Sequence, residues 1–251
     1  MSRECWLNLE LPTSVLGLPI AAPLNCHTAL RHNYWYIGGG KIMPTRIILA
    51  DDHALVRQGI KSLLEREGLQ VVAEASDGRE AINHAQALSP DVVIMDIGMP
   101  TLNGMEAARE LASCCPKVKP ILLTQHDEPQ YVSAALSAGV KGYVLKSQIS
   151  AELIHAIQQV LRGHVYLSPG ISGAVLAAYN SKAQPADPLT SRERQVLQLI
   201  AEGKSTKDVA ALLGVSVKTA ESHRSRLMQK LDIHETATLV RYAVKHGLVQ
   251  I

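Results

Sequence analysis

Between residues 45 and 145, five short and almost wholly apolar runs, TRIILA, LQVVAEA, DVVIMD, PILLT and KGYVL, alternate with stretches whose apolar residues recur at helical spacing. A strand that is apolar on both alternating faces has to be covered on both sides, and a helix between successive strands returns the chain so that neighbours run parallel. The pattern therefore predicts an α/β fold, a doubly wound parallel five-stranded sheet, with helices over 54–66, 78–88, 104–112, 130–138 and 151–162.

In such a sheet ligands collect beyond the carboxyl ends of the strands. Asp51 and Asp52 follow the first strand, Asp96 ends the third, Thr124 ends the fourth and Lys146 follows the fifth. Adjacent carboxylates repel by roughly 1 to 4 kcal/mol depending on how wet the site is, and all three acids are ionised at neutral pH unless perturbed. A hard divalent cation with oxygen ligands, Mg²⁺, is the natural compensation. Asp96 is then placed to act as a nucleophile toward a phosphoryl group, with Lys146 pairing the new charge and Thr124 donating a hydrogen bond to it. Taken singly, a strand-end Asp caps a turn, a Lys is a solvated charge and a Thr is filler. The specificity lies in the constellation.

The sequence after Gly163 changes character. YLSPGISGAVLAAY reads as a short helix and NSKAQPADP as a flexible linker. Thr190 with Glu193 three residues on forms a capping-box pattern, and Gly203 stops the helix it opens. Helices are then expected over 206–213, 217–231 and 235–246, the first two joined by Gly214-Val215-Ser216, which is a helix-turn-helix arrangement. Val217, Ala220, Leu227 and Leu231 are assigned to the core side of the third helix. Lys218, Thr219, Glu221, Ser222, Ser225, Arg224, Arg226 and Lys230 are the DNA-contact candidates, the basic members for phosphates and the short or directional ones for base edges. Residues 44–165 carry a net charge of −3 and residues 188–251 one of +4, so the chain joins an acidic module to a basic one.

The residues LADDH, VVIMDIGMP, LLT and GYVLK resemble the receiver domain of two-component response regulators, and SRERQVLQLIAEGKSTKDVAALLGVSVKTAESHRSRLMQKL resembles the LuxR-type DNA-binding domain; together they resemble the NarL/FixJ class. The resemblance implies phosphate transfer from a histidine kinase to Asp96, Mg²⁺ held by Asp51, Asp52, Asp96 and the Gly98 carbonyl, and a conformational switch at Thr124 and Tyr143. It further implies a homodimer on double-stranded promoter DNA when phosphorylated. Two positions depart from the usual receiver pattern: Gly98 offers no side chain to the site and Gln125 is bulky. The expected organisation is an extension over 1–43, a receiver over 44–163, a linker over 164–188 and a helix-turn-helix domain over 189–251.

Two other functions fit parts of the pattern. A Mg²⁺-dependent phosphatase of the haloacid-dehalogenase type also uses a strand-end aspartate and a lysine, but needs a second acid two residues on, where this chain has Gly98. A vestigial receiver that leaves DNA binding constitutive would not need the complete acceptor set. Residues 1–42 lack periodicity and end in GGGK shortly before Met43, which is expected to be the biological start. Segment 11–24 is broken by three prolines and is too short to span a membrane, so a cytoplasmic protein without membrane attachment is expected. Cys5, Cys26, Cys114 and Cys115 have no metal-ligand spacing, and the adjacent pair cannot close an ordinary disulfide; no function is assigned to them.

Overall fold

A computed structural model describes residues 44–171 and 188–249; the expected extension, most of the linker and the segment considered for targeting lie outside them. The first region alternates β1 (Arg46–Ala50), α1 (Ala54–Arg66), β2 (Gln70–Ala75), α2 (Gly78–Leu88), β3 (Val92–Asp96), α3 (Gly104–Cys114), β4 (Lys119–Thr124), α4 (Pro129–Ser137), β5 (Gly142–Leu145) and α5 (Ile149–Leu161). All strands pair in parallel in the order β2-β1-β3-β4-β5, and a two-residue β6 (Tyr166–Leu167) extends the sheet beyond β5.

That sixth strand corrects the five-stranded expectation, and it replaces the start of the short helix expected after Gly163. Residues 169–171 form a single 3₁₀ turn, and the remainder of the expected helix lies outside the described residues. Two residues are too few to carry an alternation signal. The segment pairs because β5 would otherwise leave its polar backbone edge open.

The sheet sorts its side chains by parity. Ile48, Ala50, Val93, Met95, Leu122 and Tyr143 pack with residues of α2, α3 and α4 on one face. Ile47, Leu49, Val92, Ile94, Ile121, Leu123 and Val144 pack with α1 and α5 on the other. The strand order reverses between β1 and β3, so their carboxyl ends border the crevice where such folds bind ligands. Gly104 opens α3 against this crevice, and a Cβ there would collide with the Asp96 carbonyl.

The second region comprises α6 (Ser191–Ala201), α7 (Thr206–Leu213), α8 (Val217–Leu231) and α9 (Thr236–Lys245). Reciprocal capping boxes at Thr190–Glu193 and Ser205–Asp208 start α6 and α7, and Ser216 caps α8. Gly214 ends α7 in the left-handed conformation (φ 64°), which sets the tight turn into α8. The core is built from Leu197, Leu199, Val209, Ala220, Leu227 and Leu239 among others. Val217, expected in this core, is 43% exposed. As the first residue of α8 its Cβ tilts back toward the helix start, past the edge of the packed layer.

Candidate phosphoacceptor site and nucleic-acid interface

The carboxyl ends of β1, β3, β4 and β5 bring the expected residues together. Asp51, Asp96 and Thr124 are fully buried, whereas the Asp52 side chain keeps 32% of its surface exposed. Lys146 Nζ lies 2.9 Å from Asp96 Oδ2 and 3.1 Å from Asp51 Oδ2. The contact with Asp96 is an ion pair, and Asp96 Oδ1 is buried without a hydrogen-bond partner. Burial raises the Asp96 pKa, Lys146 opposes the rise and Asp51 adds to it. Burial alone would lower the Lys146 pKa, yet Asp96 and Asp51 carry it above its ordinary value. The lysine is therefore cationic and the acidic cluster is only partly neutralised.

One side-chain ligand atom from each of Asp51, Asp52, His53 and Asp96 can be chosen so that all lie within 4.8 Å of one another. An unpartnered buried carboxylate oxygen beside two further acids is a hard-oxygen donor set, and it fits Mg²⁺. His53 was not singled out from the sequence, though it directly follows the acid pair; its Nδ1 is 2.9 Å from Asp52 Oδ1. Gly98 lies in the loop two residues past Asp96.

Thr124 and Tyr143 meet at a residue the sequence did not mark. The His126 amide donates to Thr124 Oγ1 at 2.9 Å, and Tyr143, fully buried, donates its hydroxyl proton to the His126 carbonyl at 3.0 Å. The His126 ring stacks on Tyr131 of α4 with centroids 4.4 Å apart. Tyr131 in turn donates to the Lys245 carbonyl at the end of α9, 3.0 Å away. A continuous set of contacts thus runs from the site to the helix-turn-helix region.

A larger junction joins α3 and the loop before it to α6. Gln198, fully buried, accepts at Oε1 from the Asn103 backbone and side-chain amides and donates from Nε2 to the Met99 carbonyl, each at 3.0 Å. Glu202 accepts from the Thr101 amide at 3.1 Å, Arg194 pairs with Glu106 at 2.6 Å and Gln195 donates to Glu110 at 2.6 Å.

On α8, Lys218, Thr219, Glu221, Ser222, Ser225 and Arg226 are exposed, as a reading face requires. Two other candidates have intramolecular partners: Arg224 donates to Thr236 at 3.0 Å, and Lys230 binds Glu193 at 2.7 Å.

Residues 47–158 match the response regulator receiver domain family and residues 187–243 the bacterial regulatory protein LuxR family. The chain is 38% identical over 205 residues to the transcriptional regulatory protein MctR of Rhizobium johnstonii, covering 81% of this chain and 95% of that one. The chain is a response regulator of the NarL/FixJ class. It is accordingly a phosphorylation-dependent, DNA-binding transcription regulator. The regulator is also 37% identical to the oxygen regulatory protein NreC of Staphylococcus carnosus, over 81% of its own length and 99% of the relative's. Among solved structures it resembles RcsB of Salmonella enterica serovar Typhimurium bound to promoter rprA with the phosphomimetic BeF₃⁻, at 30% identity and a TM-score of 0.56, covering 80% of this chain and 98% of that one. Among the described residues no helix is long and apolar enough to cross a membrane.

Proposed function

We propose that Asp96 accepts the phosphoryl group of a histidine kinase, with Asp51, Asp52 and the Gly98 carbonyl joining it as the Mg²⁺ site. The buried and unpartnered Oδ1 of Asp96 carries this reading. In the transfer the phosphorus–nitrogen bond of phosphohistidine breaks as a bond to the Asp96 carboxylate forms, and the released imidazole takes up a proton. Lys146, already 2.9 Å from Asp96, holds the negative charge that the new phosphoryl group brings. Bound Mg²⁺ would neutralise phosphoryl oxygens. Thr124 and Tyr143 act as the switch: when the Thr124 hydroxyl turns to the phosphate it releases the His126 amide, and Tyr143 is left to follow.

Output follows through the receiver, over 44–163, and the DNA-binding domain, over 189–251, joined by a linker over 164–188. The exposed face of α8 supports release from a restrained position, rather than uncovering of the recognition helix, as the effect of phosphorylation. The restraint acts on α6 and α9. Freed domains pair as a homodimer on double-stranded promoter DNA, where two reading helices overcome the modest discrimination of one. Lys218, Arg224, Arg226 and Lys230 contact phosphates, Arg224 and Lys230 after leaving Thr236 and Glu193, while Thr219, Glu221, Ser222 and Ser225 face the bases. The protein works in the cytoplasm and is not a turnover phosphatase, since no second acid stands at Gly98.

Incubation with acetyl phosphate and Mg²⁺ tests the acceptor. One phosphoryl group should appear on the wild type, alkali-labile as an acyl phosphate is, and none on Asp96→Asn. Undiminished labelling of that variant removes Asp96 from the role.

A further inference from the structure

Neither the phosphoacceptor site nor the reading helix uses the two thiols at the end of α3. Cys114 is exposed, Cys115 is partly buried, and their sulfurs stand 3.6 Å apart. Cys115 leaves the helical conformation (φ −137°, ψ 62°) as the cap of α3. An ordinary disulfide needs Cα atoms at least about 4.4 Å apart, and neighbours across a trans peptide are only about 3.8 Å apart, so this pair does not relieve its proximity by simple oxidation. Two sulfurs bound at about 2.3 Å to one centre are separated by about 3.3 Å at the near-right angles of a pyramidal centre and about 3.8 Å at a tetrahedral one. The observed separation lies between those two bites.

We propose that Cys114 and Cys115 form a bidentate site for a soft thiophilic centre, either a trivalent arsenical or a d¹⁰ dication such as Cd²⁺. Sulfur donors select such centres over the hard cation suited to the acidic site. Access is open on both sides. Cys114 lines a cavity of about 470 Å³ with Arg79, Glu110 and Ser191, and both cysteines line a second, of about 750 Å³, with Asp91 and Lys117. These spaces leave room for the substituents or further ligands that the centre carries with it. Burial, reinforced by Cys114, pushes the Cys115 thiol up to about 11. It therefore stays protonated at neutral pH and is a weak nucleophile toward reagents that attack one thiol at a time. A reagent that engages both thiols and expels water is favoured instead. With phenylarsine oxide two S–H bonds are exchanged for two As–S bonds, the oxo oxygen leaves as one water molecule, and arsenic remains trivalent. With Cd²⁺ two protons are released and no electrons move.

The site adjoins the junction between the domains. Glu110, one helical turn before Cys114, holds Arg79 of α2 and Gln195 of α6, and Ser191 begins α6.

The test treats the reduced full-length chain with phenylarsine oxide and maps the product by tryptic mass spectrometry. One arsenic should bridge both sulfurs of the peptide Glu110–Lys117, resist excess glutathione and come off with a 1,2-dithiol. Cys114→Ser and Cys115→Ala should each lose roughly a hundredfold in glutathione resistance, the advantage of a second, intramolecular attachment. Prior alkylation of the exposed Cys114 thiol of the wild type with iodoacetamide should abolish the bridged adduct, which removes dependence on how the variants fold. A parallel titration with Cd²⁺, read by thiolate-to-metal charge-transfer absorption, separates the two ligand sources; occupation of both sulfurs by either probe supports the site. Failure of both probes overturns it, as does an arsenical adduct that glutathione strips from the wild type as readily as from Cys115→Ala, or one bridged instead through Cys5 or Cys26.

Discussion

Replacing Gln198 by Ala should loosen the junction between the receiver and the DNA-binding domain without unfolding either. The side chain is fully buried and satisfies the Asn103 backbone amide, the Asn103 side-chain amide and the Met99 carbonyl, besides donating to Glu202. Each group left without a partner costs about 1 to 3 kcal/mol while it remains dry. Three receiver groups set the upper bound, but water reaches them as the junction opens, so a net loss of about 3 kcal/mol is the reasonable expectation. That is roughly a hundredfold increase in the separated population. Hydrogen exchange of the full-length protein reads it at the Thr101 amide. This amide is bound to Glu202, which Gln198 also holds, so its exchange reads the opening of the junction as a unit. Thr101 should exchange up to a hundredfold faster, while amides in β3 and α8 keep their protection. Unchanged protection at Thr101 would show that Gln198 does not hold the junction, and the restraint assigned to α6 would fall with it.

Gly247→Ala should release the other contact. Its φ of 66° strains any L side chain, and a Cβ there would collide with the Tyr131 ring, so the near-ultraviolet tyrosine signal should change, and not do so in a Tyr131→Phe background, while the far-ultraviolet helix signal persists; an unaltered Tyr131 environment would count against docking of α9 on α4. Acidification should act at Glu202, whose pKa burial raises, with Asp77 adding to the rise and Gln198, Thr101 and Lys204 opposing it. Because the docked carboxyl binds its proton more tightly than a free one, its charged form is disfavoured above the raised pKa. That penalty is relieved as pH falls through the raised value toward the ordinary one. The urea midpoint of the wild type should therefore gain on that of Glu202→Gln as pH falls from neutral into the carboxyl range, and a pH-independent difference would place the carboxyl in solvent.

The receiver was legible because its information is local. Apolar runs such as VVIMD admit one environment, and the strand-end rule then gathers Asp51, Asp96, Thr124 and Lys146 without any knowledge of side-chain geometry. The helix-turn-helix was legible for a similar reason, since Thr190, Ser205, Gly214 and Ser216 mark its turns through their own hydrogen bonds and dihedrals. The junction was not. Arg194, Gln195, Gln198 and Glu202 lie along one polar stripe of α6, a pattern that in an isolated domain means a solvated face. Only the second domain turns it into buried contacts. His126 was missed for a related reason: its backbone, not its side chain, meets Thr124 and Tyr143. The proximity of the Cys114 and Cys115 sulfurs depends on the break in helical geometry at Cys115, which no spacing rule announces.

Control of DNA binding by Asp96 is decided by footprinting across genomic DNA with the full-length wild type and Asp96→Asn in the presence and absence of acetyl phosphate and Mg²⁺. The phosphodonor should sharpen protection of paired half-sites about one helical turn apart for the wild type and change nothing for the variant. Equal protection by the untreated and treated wild type would contradict that control, and would mean that DNA binding proceeds without reference to Asp96.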